Sequence, residues 1–416
     1  MLIQQTSNRF ILILILGLLA AIGPFSIDMY LPGFPAIARD LHTTVEQVAL
    51  SLSSFFIGIS TGQLLYGPLL DRYGRKKPLY FGVTIYILAS LGCAFSTSVN
   101  MLVILRLLQA LGGCAGMVAS RAMVRDLFPV HESAKVFSLL ILVIGVSPII
   151  APTVGGYITT TFGWKYMFVA LTLMGIAIIT ATHFLLPESR QPDKTLSLKP
   201  GPIIQNFASV LRTPQFYTYA LTGAISAAGL YAYISGSPYV FMELYNVTEQ
   251  QYGWIFSGIA ATYVLSSQLN NFLLKRYRSE QIIKAALLCQ STAACLLVIG
   301  TTMHLLDLFS IIALISVFLC CQGCSFPNAS ALALAPFSRT AGSASALMGA
   351  IQMGAGAFTS AMVSLLSNHT AVPMTGMMAC CALVSLGILF TGSTLIKWKA
   401  RQADIDDQTL EMVKEG

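Results

Sequence analysis

Long apolar runs separated by short polar turns follow one another along almost the whole chain. A helix crossing a hydrocarbon core needs about 20 consecutive apolar residues. Windows of that kind lie at 10–31, 47–70, 78–97, 101–124, 135–160, 164–186, 214–241, 251–274, 281–302, 306–334, 341–366 and 373–396. The pattern excludes a water-soluble domain, because 55% of the residues are hydrophobic and 10% charged, against about 25% charged in an ordinary soluble domain. The expected fold is therefore an all-α membrane protein with twelve transmembrane helices. The first run follows Arg9 and continues through Pro24 to Tyr30 without a small-x-small cleavage site, so it reads as an uncleaved first helix rather than a signal peptide.

Net charge is +7, and the basic residues cluster at the ends of apolar runs, where they orient helices rather than bind nucleic acid. Arg9, Arg72, Arg75, Lys76, Lys77, Arg121, Arg125, Lys135, Arg190, Lys194, Lys199, Arg212, Lys275, Arg276, Arg278, Lys284, Arg339, Lys397, Lys399, Arg401 and Lys414 fall on one side. Arg39 and Lys165 fall on the other. That asymmetry and an even span number predict both termini in the cytoplasm. The nine cysteines all sit inside apolar runs and read as small packing residues. Cys321 and Cys324 form a CxxC with no histidine or carboxylate nearby, so no metal is expected.

Residues 187–213 form the longest polar stretch between runs. This stretch divides the chain into an N-terminal six-helix half at 1–186, a cytoplasmic linker at 187–213, a C-terminal six-helix half at 214–396 and a tail at 397–416. A repeat supports the division: Leu69-Leu70-Asp71-Arg72-Tyr73 recurs 204 residues later as Leu273-Leu274-Lys275-Arg276-Tyr277. Duplicated six-span halves place a substrate site between them, near the middle of the bilayer.

Four segments carry the candidate chemistry. The turn Gly67-Pro68-Leu69-Leu70-Asp71-Arg72-Tyr73-Gly74-Arg75-Lys76-Lys77 combines glycines that permit a tight reversal with a carboxylate among cations. Such a network can latch one conformation; with Asp126 at the end of the fourth span it forms the expected gate, Gly67, Asp71, Arg72, Gly74, Arg75 and Asp126. In the fifth span Gly145, Pro148, Pro152, Gly155 and Gly156 combine close-approach positions with two bends. In the fourth span Arg106 would stand inside the bilayer, where a cation must face the protein interior and find a partner. Asp28 in the first span is the candidate partner, because at about 1.5 Å per residue the two lie at similar depth.

The turn resembles the loop signature of the major facilitator superfamily, G-x-L-x-D-R-x-G-R-K. The fifth-span set resembles the antiporter motif G-x-x-x-G-P-x-x-G-G, with Ala151 for one glycine. The fourth span resembles L-x-x-x-R-x-x-Q-G through Leu102, Arg106 and Gln109, with Ala110 for its glycine. Asp28-Met29-Tyr30-Leu31-Pro32, Arg121-Ala122-Met123-Val124-Arg125-Asp126, Pro327-Asn328-Ala329-Ser330-Ala331-Leu332 and Gly342-Ser343-Ala344-Ser345-Ala346-Leu347 narrow the resemblance. Together they resemble the bicyclomycin-resistance (Bcr/CflA) family of drug:proton antiporters. The resemblance implies the major facilitator fold, two pseudo-symmetric six-helix halves, and multidrug efflux that confers antibiotic resistance. The implied cargo is chloramphenicol-like or bicyclomycin-like. Related exporters carry a further acidic residue deeper in span one; this chain has Ala20 there, leaving Asp28 as the one titrating group.

Tyr30, Gln109, Tyr231, Tyr233 and Asn328 are the candidate cavity residues, and Asp28 with Arg106 the candidate proton-coupling pair. Ser237, Gln268, Asn270, Asn271 and Gln322 are further polar positions that fit either a cavity or interhelical hydrogen bonding. The histidines fall near span ends and receive no relay role. The expectation is a monomeric transporter, not an enzyme, with no cofactor beyond the proton gradient. Its partners would be protons, a small-molecule substrate and the bilayer. The alternative is a proton-coupled importer or metabolite transporter of the same fold.

Overall fold

The computed structural model describes residues 2–193, 200–337 and 341–415. Lys194, Lys199 and Arg339, and the side chains of Arg9, Lys135, Lys397, Lys399, Arg401 and Lys414, lie outside the described part.

The first set of helices comprises α1 (Leu2–Asp28), a short α2 (Phe34–Asp40), α3 (Val45–Tyr73), α4 (Lys76–Ala94), α5 (Val99–Leu127), α6 (Val130–Phe162) and α7 (Lys165–Leu185). After the connecting segment, which contains α8 (Pro200–Leu211), the second set comprises α9 (Pro214–Pro238), α10 (Glu249–Leu273), α11 (Ser279–Thr302), α12 (Leu308–Leu334), α13 (Ala341–Leu365) and α14 (Val372–Glu415). Twelve of the described helices are 19 residues or longer, six in each set. Ten are long and apolar enough to cross a membrane. The other two, α9 and α10, carry many small and hydroxyl-bearing residues. For α9 this is tolerated because it is buried along nearly its whole length and meets neighbouring helices instead of acyl chains, whereas α10 is only partly buried and turns Trp254, Leu265, Leu269 and Phe272 outward.

The pairing scheme repeats. In the first set α3 packs on α5, α4 on α5 and α7, and α1 on α6; in the second α10 packs on α12, α11 on α12 and α14, and α9 on α13. Capping repeats too. Helices α3, α5, α10 and α12 each start on a hydroxyl or carboxylate that accepts from a first-turn amide: Thr44 from Gln47, Ser98 from Met101, Thr248 from Gln251 and Asp307 from Ser310. These caps all lie at one end of the bundle, the far end. Arg72, Arg75, Lys76, Arg276 and Arg278 sit in or beside the turns at the opposite, basic end.

Two differences from the sequence expectation concern the ends of elements. The stretch expected as a linker contains α8, and the expected tail continues α14 as helix through Glu415. No proline or glycine interrupts the chain between Ile396 and Glu415, so nothing stops the helix.

The sets meet along two seams, α3 against α13 and α6 against α10. Polar contacts across them run from the far end to mid-depth: Ser367 Oγ donates to Glu46 (2.9 Å), Ser53 Oγ to Ser360 Oγ (2.8 Å) and Ser60 Oγ to the Ala350 carbonyl (2.8 Å). Arg39 pairs with Glu249 at 3.4 Å across the far end.

Candidate functional site

The Gly67–Lys77 turn builds the expected ion network. Gly74 takes φ +81°, which lets α3 reverse into α4 within two residues. Arg75 is thereby turned inward and buried, donating from Nε to Asp126 (2.7 Å) and from Nη1 to Asp71 (2.8 Å). Burial opposes its charge, but the two carboxylates outweigh that and hold Arg75 above its ordinary pKa. The network also takes in three residues that the sequence reading assigned to the linker. Arg190 reaches Asp71 at 3.1 Å, Ser189 donates to Asp126 at 3.0 Å, and Glu188 accepts from the backbone amides of Arg75 (2.7 Å) and Lys76 (3.1 Å). Glu188 thus caps α4 from more than a hundred residues away. Every one of these partners belongs to the first set or the segment that directly follows it. In this conformation the network braces that set rather than bridging to the second. Arg72 lies near the Tyr73 ring at 5.7 Å, and Gly67 meets no side chain.

Removing the Glu188 cap is expected to cost about 1 kcal/mol locally. In Glu188→Ala, hydrogen exchange at the first turn of α4 should quicken about fivefold, with the remainder of the first set unchanged.

The fifth-span motif forms the α6–α10 seam. Pro148 leaves the Ile144 carbonyl without its helical donor, and Ser147 Oγ supplies one at 3.0 Å. Ser257 of α10 donates to the Ile149 carbonyl (2.5 Å) and meets Thr153 at 3.0 Å. Gly145 faces Val264, Gly253 sits against the Pro152 carbonyl, and Gly156 lies on the backbone of Glu249. Gly155 faces the residue that follows α1 instead, where a side chain would run into the Met29 carbonyl. The motif therefore joins the second set to the residue beside Asp28.

Asp28 is buried at the last position of α1. Among the described residues it accepts no hydrogen bond and forms no ion pair, while Tyr231, Tyr233 and Tyr252 of the second set lie within electrostatic reach. Two of those phenols are engaged: Tyr231 with Met353 Sδ (3.6 Å) and Tyr252 with Ser237 (2.9 Å). The Tyr233 hydroxyl is buried without a partner, its ring stacked on Phe256 at 5.5 Å.

The expected Asp28–Arg106 pair does not form here. Arg106 is fully buried inside the first set, donating from Nη1 to Gln109 at 2.7 Å, with Gln109 in turn donating to Ser90 at 2.7 Å. Its guanidinium lies 4.1 Å from the Phe55 ring centre and 4.5 Å from that of Tyr30, and its Nε and Nη2 have no partner. Similar depth did not suffice to pair them, because Arg106 finds its contacts inside the first set while Asp28 lies near tyrosines of the second.

Three expected cavity residues are likewise engaged within a set. Tyr30 bonds Ser51 (2.8 Å) beside Arg106, Gln109 bridges Arg106 and Ser90, and Asn328 donates to Asn270 at 2.7 Å. Tyr231 and Tyr233 do face the junction, with Tyr231 set edge-on to Phe56 of α3 at 4.7 Å. Tyr252 and Phe56 were missed, since nothing in their local sequence separates them from other aromatics. Ala110 is accommodated where the motif has glycine because residue 58, facing it, is itself glycine.

The paired six-helix sets and the junction between them define a membrane transporter of the major facilitator type. The family profile described as Major Facilitator Superfamily matches residues 16–360, and the chain belongs to that superfamily. It is 34% identical over 393 residues to the MFS-type transporter YdgK of Bacillus subtilis (strain 168), covering 93% of this chain and 96% of that one. It is 32% identical over 385 residues to a bicyclomycin resistance protein homolog of Haemophilus influenzae, covering 92% and 96% respectively. Its fold matches that of a bacterial homolog to the human lysosomal transporter Spinster with a TM-score of 0.69 at 15% identity, over 93% of this chain and 96% of the other.

Proposed function

We propose that this chain is a proton-coupled antiporter that exports small amphipathic molecules, of chloramphenicol-like or bicyclomycin-like character, across the bacterial inner membrane. It works as a monomer with both termini in the cytoplasm, and the conformation described here is the one closed toward the periplasm. The observation that carries the reading is Asp28: a buried, uncompensated carboxyl at the junction of the two sets, one residue from the carbonyl on which the fifth-span motif packs. Such a carboxyl is tolerated when neutral and expensive when charged, so its proton and the closure of the seam are tied together. The similarity to a bicyclomycin resistance protein homolog supports the cargo class.

Cells expressing the protein should withstand several-fold higher concentrations of some members of an antibiotic panel. In everted vesicles, a pH gradient should drive those compounds inward, which is the export direction. Gradient-driven movement in the opposite sense, or no change in susceptibility to any compound, would overturn export and favour a proton-coupled importer.

A further inference from the structure

The turn between α10 and α11 is the sequence counterpart of the one that builds the Asp71 network, yet Lys275 stands where the first turn has its aspartate. The second turn therefore lacks the aspartate that neutralises the first turn's cations, and its one nearby carboxylate, the exposed Glu280 in the first turn of α11, forms no ion pair with them among the described residues. Lys275, Arg276 and Arg278 are exposed and form no ion pair among the described residues. Lys275 Nζ lies 5.3 Å over the Phe272 ring and the Arg276 guanidinium 5.8 Å over Tyr277. Aromatic faces hold these side chains in place without cancelling their charge.

A cleft runs from this turn along the outside of the second set. Helices α10 and α11 both pack on α12 but scarcely touch each other. The floor and one wall are made of small residues, Cys320 and Cys324 on α12 and Ala285 and Ala286 on α11, which leaves a cavity of about 940 Å3. Leu265 and Leu269 form the other wall and are exposed on the outer face of the bundle. Tyr277 and Gln281 line the cleft at its basic end, so cavity and cationic turn are one continuous surface. It lies away from both seams between the sets.

We propose that this surface docks an anionic phospholipid of the adjoining leaflet, with the headgroup phosphate on Lys275, Arg276 and Arg278 and an acyl chain in the cleft. The occupant follows from two matched chemistries. An apolar trough that opens sideways, along exposed leucines, meets acyl chains rather than water. A cluster of three cations outnumbering the one nearby carboxylate, Glu280, stands at its mouth on the basic end of the bundle and attracts an anionic headgroup by roughly fivefold per cation.

The full-length protein in detergent is titrated with phosphatidylglycerol and with phosphatidylethanolamine bearing the same chains, and bound lipid is counted by native mass spectrometry. Phosphatidylglycerol should be retained preferentially. Lys275→Gln with Arg276→Gln should weaken its retention about 25-fold and leave only the roughly fivefold preference that Arg278 supplies, while Ala285→Phe, which fills the cleft, should weaken both lipids. Lys165→Gln at the far end should change nothing. Equal retention of the two lipids by the native protein, or native retention of phosphatidylglycerol in the turn variant, overturns the proposal. Retention sensitive to Ala285→Phe but indifferent to headgroup charge also overturns it, and leaves the cleft to an uncharged apolar solute. The turn variant alters only exposed side chains, so it stays informative if Ala285→Phe disturbs packing.

Discussion

Asp28→Asn is expected to reduce pH-gradient-driven efflux to the level of protein-free vesicles while solute binding stays within a few-fold of native. In the conformation described here Asp28 has, among the described residues, no hydrogen-bond donor and no cation beside it. Transfer of an ionised carboxyl into such a place costs several kcal/mol even after relaxation. A protonated carboxyl escapes that penalty, and the Tyr233 hydroxyl, buried and without a hydrogen-bond partner among the described residues, lies within electrostatic reach. An amide at position 28 resembles the protonated state permanently. It should therefore permit the far-end closure, with the Ser53–Ser360 and Thr153–Ser257 contacts intact, and still leave nothing to exchange with the gradient. Transport assays and equilibrium binding on the same preparation separate the two effects. Efflux undiminished in Asp28→Asn would show that the carboxyl plays no part in coupling, and an equal loss of binding would point to a role in holding solute instead.

The sequence made some of this visible and hid the rest for definite physical reasons. Apolar runs located the helices because acyl chains and helix length impose the same period everywhere, and even the polar α9 and α10 fell in drawn windows. The Asp71–Arg75 contact was legible since both residues share one turn. Glu188 was not, because its bond to the Arg75 amide joins positions 113 residues apart, and a glutamate after a proline looks like any linker residue. The antiporter-type glycines were found, but not that Gly155 and Gly156 face different segments, the chain just after α1 and the start of α10. That depends on direction around α6, which a list of small residues does not give. The same limit hid the partners that Arg106 has in this conformation: depth along a helix follows from counting residues, whereas the partner follows from the azimuth, and neighbouring positions differ by about 100°. The ring pocket of Tyr30 and Phe55 that receives the guanidinium draws its two aromatics from different segments.

That pocket leads to the second expected result, in which stability and activity move apart. Arg106→Met should leave the protein as stable as native or more so, and should lose transport. Two ring faces near the guanidinium are worth about 2 kcal/mol each when desolvated, and the bond to Gln109 adds about 1–3 kcal/mol. Against them stand several kcal/mol of desolvation for the cation and a further penalty of about 1–3 kcal/mol for each of the unpartnered Nε and Nη2 donors. The balance is close to even or unfavourable, so a methionine of similar length, which fills the space without a charge, should be neutral or stabilising by about 1–4 kcal/mol. Arg106→Lys should be worse than either. Its compact, strongly hydrated ammonium cannot lie flat between Phe55 and Tyr30 or reach Gln109 with the same geometry. Thermal unfolding of the purified variants, set beside vesicle efflux, gives both readings. A methionine variant that unfolds well below the native protein would make Arg106 a structural cation of the first set. A stable methionine variant that no longer transports would mean that the charge is retained for a different conformation, one in which its two idle donors find a partner.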